Sequence, residues 1–135
     1  MDRITKSLLD EFVNTNSLTS LPEETQFEHF CGTIVTSRHY SDSFQSDDIH
    51  VGAGGDCGID SISIIVNGRL ITDPEELDEL SERASYLDCI FVFVQAERSS
   101  SFETAKIGQF GYGVQGFLLK PLGWFKMNAL SCVQK

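Results

Sequence analysis

The chain has 135 residues, enough for one domain with a proper core, is 41% apolar, and has no apolar run approaching a membrane span. Its 20 acidic residues against 10 basic ones leave a net charge of −10, which argues against a freestanding nucleic-acid binder dependent on a basic surface. The cysteines, Cys31, Cys57, Cys89 and Cys132, are widely spaced with no Cys-x-x-Cys pair. Reduced, mostly buried thiols in a cytoplasmic protein are therefore expected rather than a disulfide framework or a zinc site, and no signal-peptide layout opens the chain. An acidic balance also suits a divalent-metal site, a basic partner, or a fragment whose other domains carry the positive surface.

In chain order, Ile4, Leu8, Leu9, Phe12 and Val13 recur at helical spacing and predict a short amphipathic helix over 3–14. After the polar break at 14–17, Ser20, Pro22 and Glu23 look like a capping-box start for a second helix. Its apolar face would be Phe27, Phe30, Cys31, Ile34 and Val35, ending near Arg38. Residues 40–50 are a polar loop with scope for a short strand near Ile49–Val51. Ile62–Val66 and Arg69–Thr72 flank Asn67-Gly68, the strongest short hairpin signal. Asp73 then caps an acidic helix, with Pro74 in its first turn and Glu75 and Glu76 behind it, running to about Ala84.

Cys89–Val94 is continuously apolar and is expected at the centre of the sheet with both faces covered, Cys89 in the core. Ser99–Ser101 offers a further cap, and Ile107, Phe110, Val114, Phe117 and Leu118 trace a last helical stripe. Gly108, Gly111, Gly113 and Gly116 interrupt that stripe, which suggests close helix–sheet packing or a hinge, with a plain loop as the alternative. Trp124-Phe125 in the tail suggest a partner surface or the start of a truncated segment. The element order is α/β.

The chemistry-bearing stretch is Gly54-Gly55-Asp56-Cys57-Gly58-Ile59-Asp60, running into an apolar strand and answered by Phe93-Val94-Gln95-Ala96-Glu97. Asp60 is either a metal ligand or a strand-end residue that holds a turn through backbone hydrogen bonds. Gln95 and Glu97 are either site residues or the solvated end of a strand; Asp56 is more simply a turn residue. Glu28 is by default a boundary residue of its helix. His29, His39 and His50 lack metal-ligand spacing and receive no role. The glycine-rich loop lacks the Gly-Lys-Ser/Thr ending of a nucleotide cradle, and Glu75, Glu76, Asp78, Glu79 and Glu82 make a solvated helix face.

The order Phe27-Glu28 on a helix, Gly58-Ile59-Asp60 before a strand, then strand-Gln95-Ala96, resembles the restriction-endonuclease-like PD-(D/E)xK superfamily. More narrowly, Asp60-Ser61-Ile62-Ser63-Ile64, the Asn67-Gly68 hairpin, Phe93-Val94-Gln95-Ala96 and Ile107-Gly108…Gly113-Val114 are similar to the N-terminal region of abortive-infection phage-resistance (AIPR) proteins, over roughly residues 25–118. The resemblance implies a restriction-endonuclease-like core over 1–135: a mixed central sheet with a hairpin at 62–72, flanked by helices, forming the N-terminal part of a longer protein. It also implies a Mg²⁺- or Mn²⁺-dependent nuclease in phage defence. Asp60, with Gln95 and Glu97, would hold the metal, and Glu28 would complete the water shell. The partners would be DNA or RNA, and a second copy or the remaining domains.

One position departs from the family pattern. Glu97 stands where a Lys is expected, and a carboxylate cannot bring positive charge to a scissile phosphate. Strand alternation would put Glu97 on the side of Gln95, with Arg98 opposite unless the strand bulges. Lys106, on the following helix, is the candidate replacement cation. The alternative function is a catalytically inactive nuclease fold used for binding. Positive charge gathered around Asp60 (from Arg38, Arg69, Arg98, Lys106 and Lys120) would favour the nuclease; surrounding carboxylates would favour the binding module.

Overall fold

A computed structural model describes residues 1–51, 58–99, 101 and 103–119. Asp56 with the glycine loop at 54–57, Lys120, and the Trp124-Phe125 tail lie outside the described residues. The chain folds as a mixed α/β unit: α1 (Arg3–Thr15), α2 (Glu23–Ser37), a single 3-10 turn (Ser46–Asp48), β1 (Ser61–Val66), β2 (Arg69–Leu70), α3 (Pro74–Arg83), β3 (Cys89–Val94) and α4 (Thr104–Leu118). Among the described residues no helix is long and apolar enough to cross a membrane.

Local signals translate directly where a cap or turn dictates them. Asp73 accepts a hydrogen bond from Glu75 N at 2.9 Å, and Pro74 opens α3. Asn67 and Gly68 both take positive φ, 50° and 80°, which the two-residue turn between β1 and β2 requires. Asp2 caps α1 by accepting from Ile4 N and Thr5 N. Two expected caps do not form: α2 starts after Pro22 and α4 after Glu103, both without a side-chain hydrogen bond.

The sheet corrects two expectations. Its order is β2-β1-β3, with β1 antiparallel to both neighbours, so it is antiparallel rather than mixed among the described residues. β3 lies at an edge of that sheet, and Cys89, Ile90 and Phe91 are exposed. All six residues of β1 are buried. One face of β1, Ile62, Ile64 and Val66, joins Ile71, Leu77 and Phe117 in a core under α3 and α4. The other face presents Ser61, Ser63 and Ile65. Ser63 Oγ meets Thr36 Oγ1 of α2 at 2.5 Å, and a Cβ on Gly32 would fall 2.6 Å from Ser61 Oγ. The close approach is therefore between α2 and β1. Three glycines of α4 make none: a Cβ on Gly108, Gly111 or Gly116 would meet nothing within 4 Å.

A second core joins α1 to α2 through Leu9, Val13, Leu18 and Phe30, with Phe12 edge-on to Phe30 at 5.5 Å. Ile4, Leu8 and Ile34, expected on inner faces, are exposed. In place of the strand expected near 49–51, Ile49 is buried against Ile65 and Leu70, and His50 forms an isolated bridge with Ser61.

Candidate site at the mouth of the central strand

Asp60 directly precedes β1. Pairing of Ser61 with Val94 brings it opposite Gln95, and its backbone N–H donates to Val94 O at 2.8 Å. Its side chain does what a turn-holding aspartate does: Oδ2 accepts from Ala96 N at 2.7 Å. Burial pushes the carboxyl up to about 6; the Ala96 N–H and His50 oppose this, while Glu28 and Glu24 add to it.

Those neighbours share one helix face. Glu24, Glu28 and Cys31 are spaced i, i+4, i+7 on α2, and burial followed by the charge of Asp60 pushes the Cys31 thiol up to about 11, leaving it inert. The Gln95 Nε2 lies 3.3 Å from where a Cβ on Gly58, two residues before Asp60, would stand.

β3 ends at Val94, so strand alternation does not govern residues 95–98. Both Glu97 and Arg98, expected on opposite faces, line one cleft of about 400 Å³ with Glu23, Glu24, Phe27, Ala96 and Ser99; Asp60 is not among its lining residues. Lys106 reaches back from the first turn of α4, as expected, and its Nζ donates to Glu97 Oε2. That bond holds the Glu97 carboxyl below the usual range and the Lys106 ammonium above its own. Arg98 pairs with Glu23 at 3.5 Å, and Arg69 lies away on Glu76, also at 3.5 Å. Arg98 and Lys106 are thus each paired with a glutamate.

Two histidines, left without a role by spacing, meet in one cluster. His50 Nε2 donates to Glu28 Oε2 at 2.9 Å. The His50 ring stacks on His29, centroids 4.0 Å apart and planes 20° from parallel. His29 is buried, and its Nδ1 is 2.9 Å from Ser46 Oγ. Burial, then the neighbouring His50, lowers the His29 imidazole to about 4, with exposed Asp47 pulling the other way. No sequence periodicity links positions 22 residues apart; the hint was a buried-type residue, Ile49, inside a polar loop.

Among the described residues no group of three His, Cys, Asp or Glu side chains could hold a metal ion. A closed metal cage does not fit this donor set. A hard cation held largely by water needs only one or two protein carboxylates, and Asp60 and Glu28 are the residues that could supply them. Compared with family models, with curated proteins and with solved structures, the chain matches none.

Proposed function

We propose that this chain is a restriction-endonuclease-like, metal-dependent nuclease domain related to the AIPR family, hydrolysing nucleic-acid phosphodiesters in the cytoplasm during phage defence. The observation that carries the proposal is the placement of Asp60 at the mouth of the central strand, opposite Gln95-Ala96, with the Glu97–Lys106 pair just beyond. Asp60 and Gln95 would hold Mg²⁺ or Mn²⁺, which when bound polarises a phosphodiester and a water. Asp60 and Glu28 contribute the negative charge that attracts the cation. Lys106, 43% exposed and paired with Glu97, would replace the missing motif lysine by turning toward the phosphate.

Calorimetric titration of Mg²⁺ and Mn²⁺ into wild type and Asp60→Ala, with plasmid and RNA cleavage on the same samples, tests this. The expected result is metal binding and cleavage in the wild type, both lost in the variant. Lys106→Met should keep metal binding and lose cleavage by about 100-fold or more, the scale of removing a group that stabilises transition-state charge. Absence of metal binding in the wild type overturns the proposal.

A second function, a catalytically silent nuclease fold used for protein or nucleic-acid binding, is favoured by one observation. Arg98 and Lys106 at the mouth are both neutralised by glutamates, and Glu24 and Glu28 add further negative charge. Metal binding with no cleavage in any tested condition would select it.

A further inference from the structure

We propose that residues 120–135, the segment that follows α4, dock onto an apolar patch of this same chain at the start of β3, with Trp124 and Phe125 against Cys89 and Phe91. The inference is independent of the nuclease proposal and gives a partner to a motif that the strand-mouth site does not use.

The patch is a gap in the cover of the sheet. β1 pairs Ile64 with Phe91 and Val66 with Cys89, so these four side chains share one face. Ile64 and Val66 are buried in the core under α3 and α4, whereas Phe91 and Cys89 are exposed. The gap opens where α4 stops. Phe117, in its last turn, lies edge-on to Phe93 with centroids 5.2 Å apart and to Phe91 at 6.4 Å. Leu118 and Leu119, the next residues, are exposed, as are Tyr86 and Leu87 on the approach to β3. Apolar surface gathered in this way marks a docking site.

Position and charge both select residues 120–135 as the occupant. The segment starts directly after Leu119, and five extended residues reach at most about 18 Å, which brings Trp124 within range of Phe91 and Cys89. It holds the chain's single Trp together with Phe125, Met127 and Leu130, and three of the 10 basic residues but none of the 20 acidic ones. The surface beside the patch is acidic. α3, whose Leu77 shares a core with Phe117, exposes Glu75, Asp78, Glu79 and Glu82 against one cation, Arg83, and exposed Asp88 precedes β3. A second copy suits the patch less well, because it would bring another net charge of −10 to the same surroundings. The tether also sets a local concentration that a separate chain does not match.

The test reads Trp124 fluorescence in the full chain, with acrylamide as quencher and the urea-unfolded chain as reference. The wild type should emit at shorter wavelength than in urea and be quenched about tenfold less, as for an open state populated at 10%. Leu118→Asp and Cys89→Asp put a charge in the patch and should return emission and quenching toward the urea values. Lys120→Glu/Lys126→Glu should do so in part at low salt. Ile107→Asp is the control: as exposed as Leu118 but in the first turn of α4, it should leave Trp124 unchanged. Circular dichroism and thermal melting check that each variant folds. Should Leu118→Asp and Cys89→Asp fail to fold, the lysine pair, which alters no residue of the folded body, decides by the same readout. Urea-like emission and quenching in the wild type overturn the proposal. So does a Trp124 signal unmoved by every patch variant, or moved as far by Ile107→Asp. Protection lost on about hundredfold dilution also overturns it, and assigns the patch to a second copy.

Discussion

β1 and β3 are neighbouring six-residue strands, Ser-Ile-Ser-Ile-Ile-Val and Cys-Ile-Phe-Val-Phe-Val, and by apolar content β3 is the better core strand. The structure reverses that ranking. β1 is buried throughout, whereas β3 opens its first three residues to solvent. The difference comes from cover. β1 has α2 on one face and α3 with α4 on the other, and its serines are an asset because a helix carrying Gly32 and Thr36 can press against them. β3 shares that cover only toward its end, where Val92 and Val94 are buried. Apolarity sets how much a strand gains from burial; neighbours decide whether burial is on offer.

The largest effect should separate the strands outright. Ile65→Ala in β1, at 2% exposure, should lose about 2–5 kcal/mol in urea unfolding. Ile90→Ala in β3, 39% exposed, should lose less than about 1 kcal/mol. Equal losses would break the comparison.

A smaller effect probes the α2–β1 seam. Gly32→Ala should destabilise by about 1–3 kcal/mol through overpacking, partly offset by the better helix propensity of alanine. Ser61 Oγ has no hydrogen-bond partner among the described residues, so Ser61→Ala should cost little alone and recover part of the Gly32→Ala loss. Strict additivity of the two changes would show that the helix and strand do not meet there.

The smallest effect lies at the strand mouth. The folded-state value for Asp60, about 6, is above its ordinary 3.8, so between those values the native protein keeps a proton that the unfolded chain has released. Stability from this group is complete below about pH 4 and falls as pH rises toward 6. Asp60→Asn should flatten that slope by about 1 kcal/mol, a figure discounted for the partial exposure of the carboxyl. An unchanged slope in pH-dependent urea melts would remove Asp60 from the set of strained groups.

The site was legible in part. Asp60 and Lys106 are placed by local structure, Asp60 directly before β1 and Lys106 in the first turn of α4. Glu97 and Arg98 line one cleft because pairing stops at Val94, beyond which alternation no longer sets the face. His29 and His50 were missed because their partners are Ser46 and Glu28, chosen by the packing of a loop against α2 rather than by spacing.

By itself the sequence determined the Asn67-Gly68 turn, the Asp73 cap, four helices among the described residues, and the succession of strands. Each of these depends on residues a few positions apart, whose hydrogen bonds and backbone angles form locally. Tertiary structure alone decided that β1 is the centre and β3 the edge, that Glu28 is bound to His50, and that Arg98 and Lys106 are each paired with a glutamate. Burial and charge pairing depend on which distant surfaces meet, and no local pattern encodes that meeting.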